Sequence, residues 1–442
     1  MAVSGSHTEV EEYRVTVERD NSGSSDCSGM NYSSDHHSGS YSSGKDYGLA
    51  IQRGHADPFY TMEMVALTAQ REAEKHDTIP LCIGQPSSPA PRVVRDVAID
   101  AIDNDKLGYT EALGIQPLRE RIARWHAETY GVNTTADNVI VTTGSSGAFV
   151  AIFAACLPFG GTVAVSSPGY AAYRNVLQAL GNSFIDIPTT AETRFHMTRQ
   201  HLEELERAGN KPDMVLITSP NNPTGSIIDP DELRAIAQWC DDTKTVLVSD
   251  EIYHGISFGR PTVTARSISD RSVVIGSTSK YFSMTGWRLG WLIIPDDPTL
   301  RETIENILGN ISLCAPALSQ VAATRVFDDD ALAELRGHVE RYRENRDILN
   351  EELPKIGLPR FAPSDGAFYF WVDVSDYTDD SVAFARELLD ATGVSVSPGT
   401  DFDGSADKAL GKKYVRVSYA GTPEEMREAC QRMKPFLEQR HR

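Results

Sequence analysis

Seven short apolar runs, NVIVTT, TVAVSSP, SFIDIP, DMVLITSP, TVLVSDE, SVVIGST and RLGWLIIP, punctuate residues 138–295, most of them separated by amphipathic segments. Short β-branched runs alternating with helical patterns read as βα units around a mostly parallel sheet. Ahead of them the spacing predicts helices near Asp57 to His76, with Pro58 at its start, near Pro91 to Asn104, and near Ile115 to Tyr130. After Pro295 helical patterns dominate, with a long one near Asp328 to Leu353, before GAFYFWVDV, VSVSP and KKYVRVSYA appear among further helices. This second texture predicts a smaller α+β domain. The expected organisation is a large α/β domain over 93–329 and a small domain assembled from 51–92 and 330–442, so that the two ends of the folded chain meet.

Residues 1–50 have a different texture, dominated by serine and glycine, as in SGSSDCSGMNYSSDHHSGSYSSGKDYG. Such a segment carries too little apolar surface to offset the entropy of ordering, and a disordered tail is expected. His36 and His37 lack a spaced third ligand and read as part of that solvated tail, with no metal. Over the whole chain, 442 residues with 40% hydrophobic and 24% charged positions match a water-soluble folded protein.

The charge narrows the partners. Forty-two basic against 62 acidic residues leave a net of −20, which repels phosphate backbones and anionic lipid. Nucleic acid and membrane are therefore not expected partners. The most apolar stretch, Ala148 to Phe159, is interrupted by Pro158 and falls short of the ~20 residues a spanning helix needs. Six scattered cysteines without a CxxC pair, and an acidic start bearing Glu9, Glu11 and Glu12, fit reduced thiols and a cytoplasmic chain without a transit peptide.

In open α/β sheets ligands bind beyond the carboxyl ends of the strands, so the residues after each apolar run carry the chemistry. NVIVTT leads into Gly144-Ser145-Ser146-Gly147 and an apolar helix, a place where backbone N–H groups and a helix dipole could hold a phosphate; the same turn is also ordinary capping chemistry. It is neither GxxxxGK[ST] nor GxGxxG, and Ala148 breaks the GxSxG pattern of a hydrolase elbow. SVVIGS runs into Ser277-Thr278-Ser279-Lys280, with Arg288 eight residues beyond the lysine, offering an amine and an anion clamp to one ligand. SPNNPTG and VLVSDEIY set Asn222, Asp250 and Tyr253 at two further strand ends.

On these segments the sequence resembles the class I pyridoxal-phosphate-dependent aminotransferases, the fold-type-I family that includes the aspartate and aromatic aminotransferases, from about Pro58 to the carboxyl terminus. The resemblance implies a fold-type-I transferase, with a mostly parallel seven-stranded sheet in the large domain. It makes Lys280 the amine that forms a Schiff base with pyridoxal 5'-phosphate and later shuttles the proton. Asp250 becomes the carboxylate facing the pyridine nitrogen, Asn222 and Tyr253 the partners of the phenolic oxygen, and Tyr170 the ring stacked on the cofactor. Ser145, Ser146, Ser277 and Arg288 would form the phosphate pocket, joined by Tyr109 of a neighbouring subunit, which implies a homodimer with shared active sites. Arg416 would grip the substrate α-carboxylate, with the backbone around Gly84 closing over the amino acid.

The implied reaction is ping-pong transfer of an amino group between an L-amino acid and a 2-oxo acid. A lyase or other α-carbon chemistry on the same scaffold shares these contacts and is the alternative. A regulatory module of the kind that carries an aminotransferase-like domain behind a DNA-binding head fits poorly, because the first 50 residues lack helix-turn-helix patterning. The substrate side chain, and any second arginine that would recognise it, cannot be placed from sequence.

Overall fold

The computed structural model describes residues 58–440; the Ser/Gly-rich segment, with His36 and His37, lies outside them. After the helix Tyr60–Ala73 comes a two-residue strand, β1 (Ile79–Pro80). All seven apolar runs then become strands: β2 (Val139–Thr143), β3 (Thr162–Ser167), β4 (Ser183–Pro188), β5 (Met214–Thr218), β6 (Val246–Asp250), β7 (Val273–Ser277) and β8 (Leu289–Ile293). They form one sheet in the order β2-β8-β7-β6-β5-β3-β4, with every pairing parallel except those of β8, which is antiparallel to both neighbours.

Alternation along the strands sends side chains into two different cores. Val215, Ile217, Leu247 and Val274 join one buried cluster, whereas Met214, Leu216, Val248 and Ile275 join another. Both faces are therefore covered by helices, which is why the runs are continuously apolar rather than half polar. The helix Gly144–Cys156 buries Ala148, Phe149, Ala151, Ile152 and Phe153 against the sheet, which accounts for its nearly unbroken apolar composition.

A third cluster gathers Met64, Ile79 and Cys82 with Tyr253, Ile256 and residues from Val339 to Leu437. Around it lie β9 (Tyr369–Asp373), β10 (Val394–Ser395), β11 (Ser397–Pro398) and β12 (Tyr414–Ser418). Strands β11, β12 and β9 form an antiparallel sheet, and β10 pairs in parallel with β1. The run VSVSP thus serves two sheets, two residues at a time.

Helix boundaries depart from the sequence expectation in two places. The first helix begins at Tyr60, two residues beyond Pro58, and the long helix runs over Asp329–Lys355, past Pro354. A proline in a last turn removes one hydrogen bond without forcing the chain out of the helix, so it is a poor stop signal there. Among the described residues no helix is long and apolar enough to cross a membrane.

Candidate active site

A cavity of about 350 Å3 opens at the carboxyl ends of β5, β6 and β7, between the large sheet and β9 and β12. It is lined by Gly84, Ser145, Ser146, Tyr170, Asn222, Tyr253, Lys280, Arg288 and Arg416, all anticipated from sequence. Thr218, Asp250 and Ile275 stand in register on three adjacent strands, which brings the residues that follow each strand end to one mouth.

Lys280 follows β7 by three residues, and its half-buried Nζ donates to the carbonyl oxygen of Gly84 at 2.6 Å. Burial pushes its pKa down to about 8, aided by the positive charges of Arg416 and Arg288 and opposed by Asp250. At pH 7 about one-tenth of such an amine is neutral, against about three in ten thousand for an ordinary lysine.

Asp250 ends β6 with 1% exposure. Its Oδ2 accepts from the Tyr173 hydroxyl at 2.5 Å and its Oδ1 from the Ile252 N–H at 3.2 Å. Burial nevertheless raises its pKa to about 6, and no ion pair involving it forms among the described residues. A buried carboxylate in this condition is matched to a ligand that brings its own positive charge.

Arg416, on β12 and 3% exposed, is held by three acceptors: Asn222 Oδ1 at 2.9 Å, the Cys82 carbonyl at 2.9 Å and Ser397 Oγ at 3.0 Å. Its guanidinium lies between the rings of Tyr369 and Phe402, at 4.5 and 4.9 Å from their centroids. Its Nε has no partner, so a buried donor remains available. Gly84 is required beside it: a Cβ there would stand 2.7 Å from the Tyr369 hydroxyl and 3.3 Å from Arg416 Nη2.

At the other end, Gly144 takes φ +66° as β2 turns into the helix Gly144–Cys156. A Cβ at that position would meet Arg288 Nη2 at 2.5 Å, so glycine lets the guanidinium lie against the helix start beside Ser145 and Ser146. An arginine over a helix N-terminus with two hydroxyls makes a built anion site.

Three anticipated residues do not line the cavity: Ser277, Tyr109 and Asp250, which stands behind it on the hydroxyl of the lining Tyr173. Ser277 Oγ is turned to Ser279 Oγ at 2.8 Å and to the Leu289 carbonyl at 3.1 Å, and the adjacent Ser279 lines the cavity instead. A side chain on β7 itself is buried in the sheet, whereas two residues later the chain has left it. Tyr109 is 86% exposed and belongs to a separate surface depression with Leu107 and Pro316.

The site also contains residues that the motifs did not announce. Tyr369 faces Tyr253 hydroxyl to hydroxyl at 2.8 Å and reaches the Gly84 carbonyl at 3.3 Å. Tyr173 sits edge-on to Tyr170, with ring centroids 5.4 Å apart. Phe59, Met62, Val65 and Ile83 supply an apolar wall. Tyr173 carried a usable signal, three residues after Tyr170 and so on the same side of a helix, but Tyr369 is embedded in an apolar strand and carried none.

The chain is similar to known proteins over most of its length. Residues 76–433 match the family model for aminotransferases of class I and II. The chain is 44% identical over 393 residues to the valine–pyruvate aminotransferase of Mycobacterium tuberculosis, covering 88% of this chain and 98% of that protein. The crystal structure of an aminotransferase from M. tuberculosis superposes with a TM-score of 0.85 at 43% identity, covering 88% of this chain and 99% of the other. The aspartate aminotransferase of Thermus thermophilus, solved with maleate, superposes with a TM-score of 0.79 at 29% identity over 86% and 97% of the two chains. A lysine, a buried carboxylate and an arginine clamp at one sheet mouth, in a chain matched almost end to end by such relatives, place it in the class I and II aminotransferase family.

Proposed function

We propose that this aminotransferase works with pyridoxal 5'-phosphate and takes an amino donor with an apolar side chain, of the valine type, with a small 2-oxo acid such as pyruvate as acceptor. The observation that carries the reading is the placement of Arg416 and Lys280 in one cavity whose lining also includes the apolar side chains of Phe59, Met62, Val65 and Ile83. Among the described residues lining it, the arginines are Arg288 and Arg416, at the anion site and in the carboxylate clamp. The identity to a valine–pyruvate enzyme supports the same substrates.

Lys280, Asp250, Asn222, Tyr253 and Tyr170 would hold the cofactor ring, and Ser145, Ser146, Ser279 and Arg288 its phosphate. When bound, the cofactor supplies an aldehyde to capture the amino group and a protonated ring to accept the electron pair left at Cα. Asp250 supplies the fixed negative charge that keeps the ring nitrogen protonated. Arg416 orients the donor through its α-carboxylate, a charged contact of ~1.5–3 kcal/mol. Lys280, with its lowered pKa, takes the α-proton at Nζ and returns it across the same face. Tyr253, backed by the Tyr369 hydroxyl, would meet the cofactor's phenolic oxygen. Exposed Tyr109 fits a role across a homodimer, reaching the partner's phosphate site.

A donor screen tests the reading. Valine with pyruvate should yield alanine and the corresponding 2-oxo acid, whereas aspartate should react at least tenfold less efficiently. Preference for a dicarboxylate, or pyruvate and ammonia released from an amino acid without an acceptor, would overturn it.

A further inference from the structure

The helix Tyr60–Ala73 starts without a cap of its own, because Phe59 before it offers no side-chain acceptor. Its first free N–H groups are satisfied from the far end of the chain. Tyr60 N–H donates to Asp401 Oδ1 at 2.9 Å and Thr61 N–H to Asp401 Oδ2 at 2.6 Å, across some 340 residues. Asp401 is 8% exposed and lies in the 3-10 turn Gly399–Phe402.

That turn is also bound to the carboxylate clamp. Ser397, two residues before it, accepts from Arg416 Nη2, and Phe402 at its end places a ring 4.9 Å from the Arg416 guanidinium. The helix in turn carries Met62 and Val65, three residues apart on one face, which with Phe59 line the cavity. One short segment thus touches both the group that reads the α-carboxylate and the element that carries the apolar wall.

We propose that Asp401 is a positioning residue for donor specificity: it ties the N-terminal helix to the 397–402 segment, and so sets the distance between the apolar wall and Arg416. The inference rests on the reading of this cavity as the amino-acid site. It explains why two adjacent backbone donors are gathered by a buried carboxylate so remote in sequence, when a serine or aspartate at position 59 would have capped the helix locally. A wall held this way favours donors long enough to touch it and leaves the smallest donor almost indifferent.

The test compares the amino-donor half-reactions of valine and alanine in holoenzyme carrying Asp401→Ala, Asp401→Asn or Val65→Ala, alongside hydrogen exchange of residues 58–66. Loss of a helix cap of ordinary strength predicts that Asp401→Ala lowers the efficiency for valine about tenfold, mainly through weaker binding. Alanine should lose about twofold or less, the amides of Tyr60 and Thr61 should exchange faster, and Asp401→Asn, which keeps one acceptor, should fall between. Equal losses for both donors, or unchanged exchange at those amides, would overturn the positioning role. If Val65→Ala changes the valine-to-alanine ratio while Asp401→Ala does not, the positioning role falls and the cavity reading stands. A ratio moved by neither variant removes the cavity reading as well.

Discussion

Tyr173 donates its hydroxyl to Asp250 Oδ2 at 2.5 Å, within the sheet mouth where Asp250 forms no contact ion pair among the described residues. This bond favours the ionised carboxylate, working against the burial that lifts the Asp250 pKa to about 6. Tyr173→Phe should therefore raise that pKa further. Affinity of the apoprotein for pyridoxal phosphate, followed by absorbance across pH 5–8, should begin to fall at a higher pH in the variant than in the parent. Superimposable profiles would show that the tyrosine does not hold the charge.

The same carboxylate makes a stability prediction of opposite sign to its functional role. Its folded pKa lies above the ordinary value of 3.8, so the native state binds the proton more tightly than the unfolded chain, and stability falls as the pH rises from about 4 to about 6 and stays lowered above that. Asp250→Asn should make the apoprotein more stable at pH 8, by about 2–3 kcal/mol. The advantage should vanish near pH 4, where the parent's carboxyl is protonated, and the variant should be nearly inactive throughout. Thermal unfolding of both apoproteins at pH 4 and pH 8 measures this.

Arg416 acts on Lys280 as well as on the substrate in the proposed function, since its charge helps lower the lysine pKa from 10.5 to about 8. Arg416→Gln should weaken donor binding about a hundredfold, through the lost bidentate contact. It should also shift the alkaline-rising limb of cofactor capture to higher pH, because the neutral amine is the reactive form and removal of a nearby positive charge stabilises the protonated one. Stopped-flow capture rates between pH 6 and pH 10 separate the two effects, since capture needs no amino acid.

Much of this was legible in the sequence, for physical reasons that also explain the gaps. The strands stood out because both faces of the sheet are buried: Met214 to Ile217 can be continuously apolar only if alternate side chains enter separate cores. Lys280, Asp250 and Asn222 could be picked because they are polar groups at or just past the ends of apolar runs, whereas Arg416, in the middle of β12, stands out only through the family resemblance. Tyr369 could not, because its position within GAFYFWVDV looks like core until β9 is seen to bring its hydroxyl to Tyr253 and Gly84. The antiparallel course of β8 was equally hidden, since a strand's direction leaves no mark on its composition. The late start of the first helix traces to Asp401, a cap that no local window contains.

The proposed covalent role of one lysine underlies every step above. Reduction of the pyridoxal-phosphate-loaded protein with borohydride, followed by peptide mass mapping, tests it most directly. The account predicts a single phosphopyridoxyl group fixed on Nζ of Lys280, and none in Lys280→Ala. A modified peptide that excludes position 280, or no modification of the saturated protein, would contradict it.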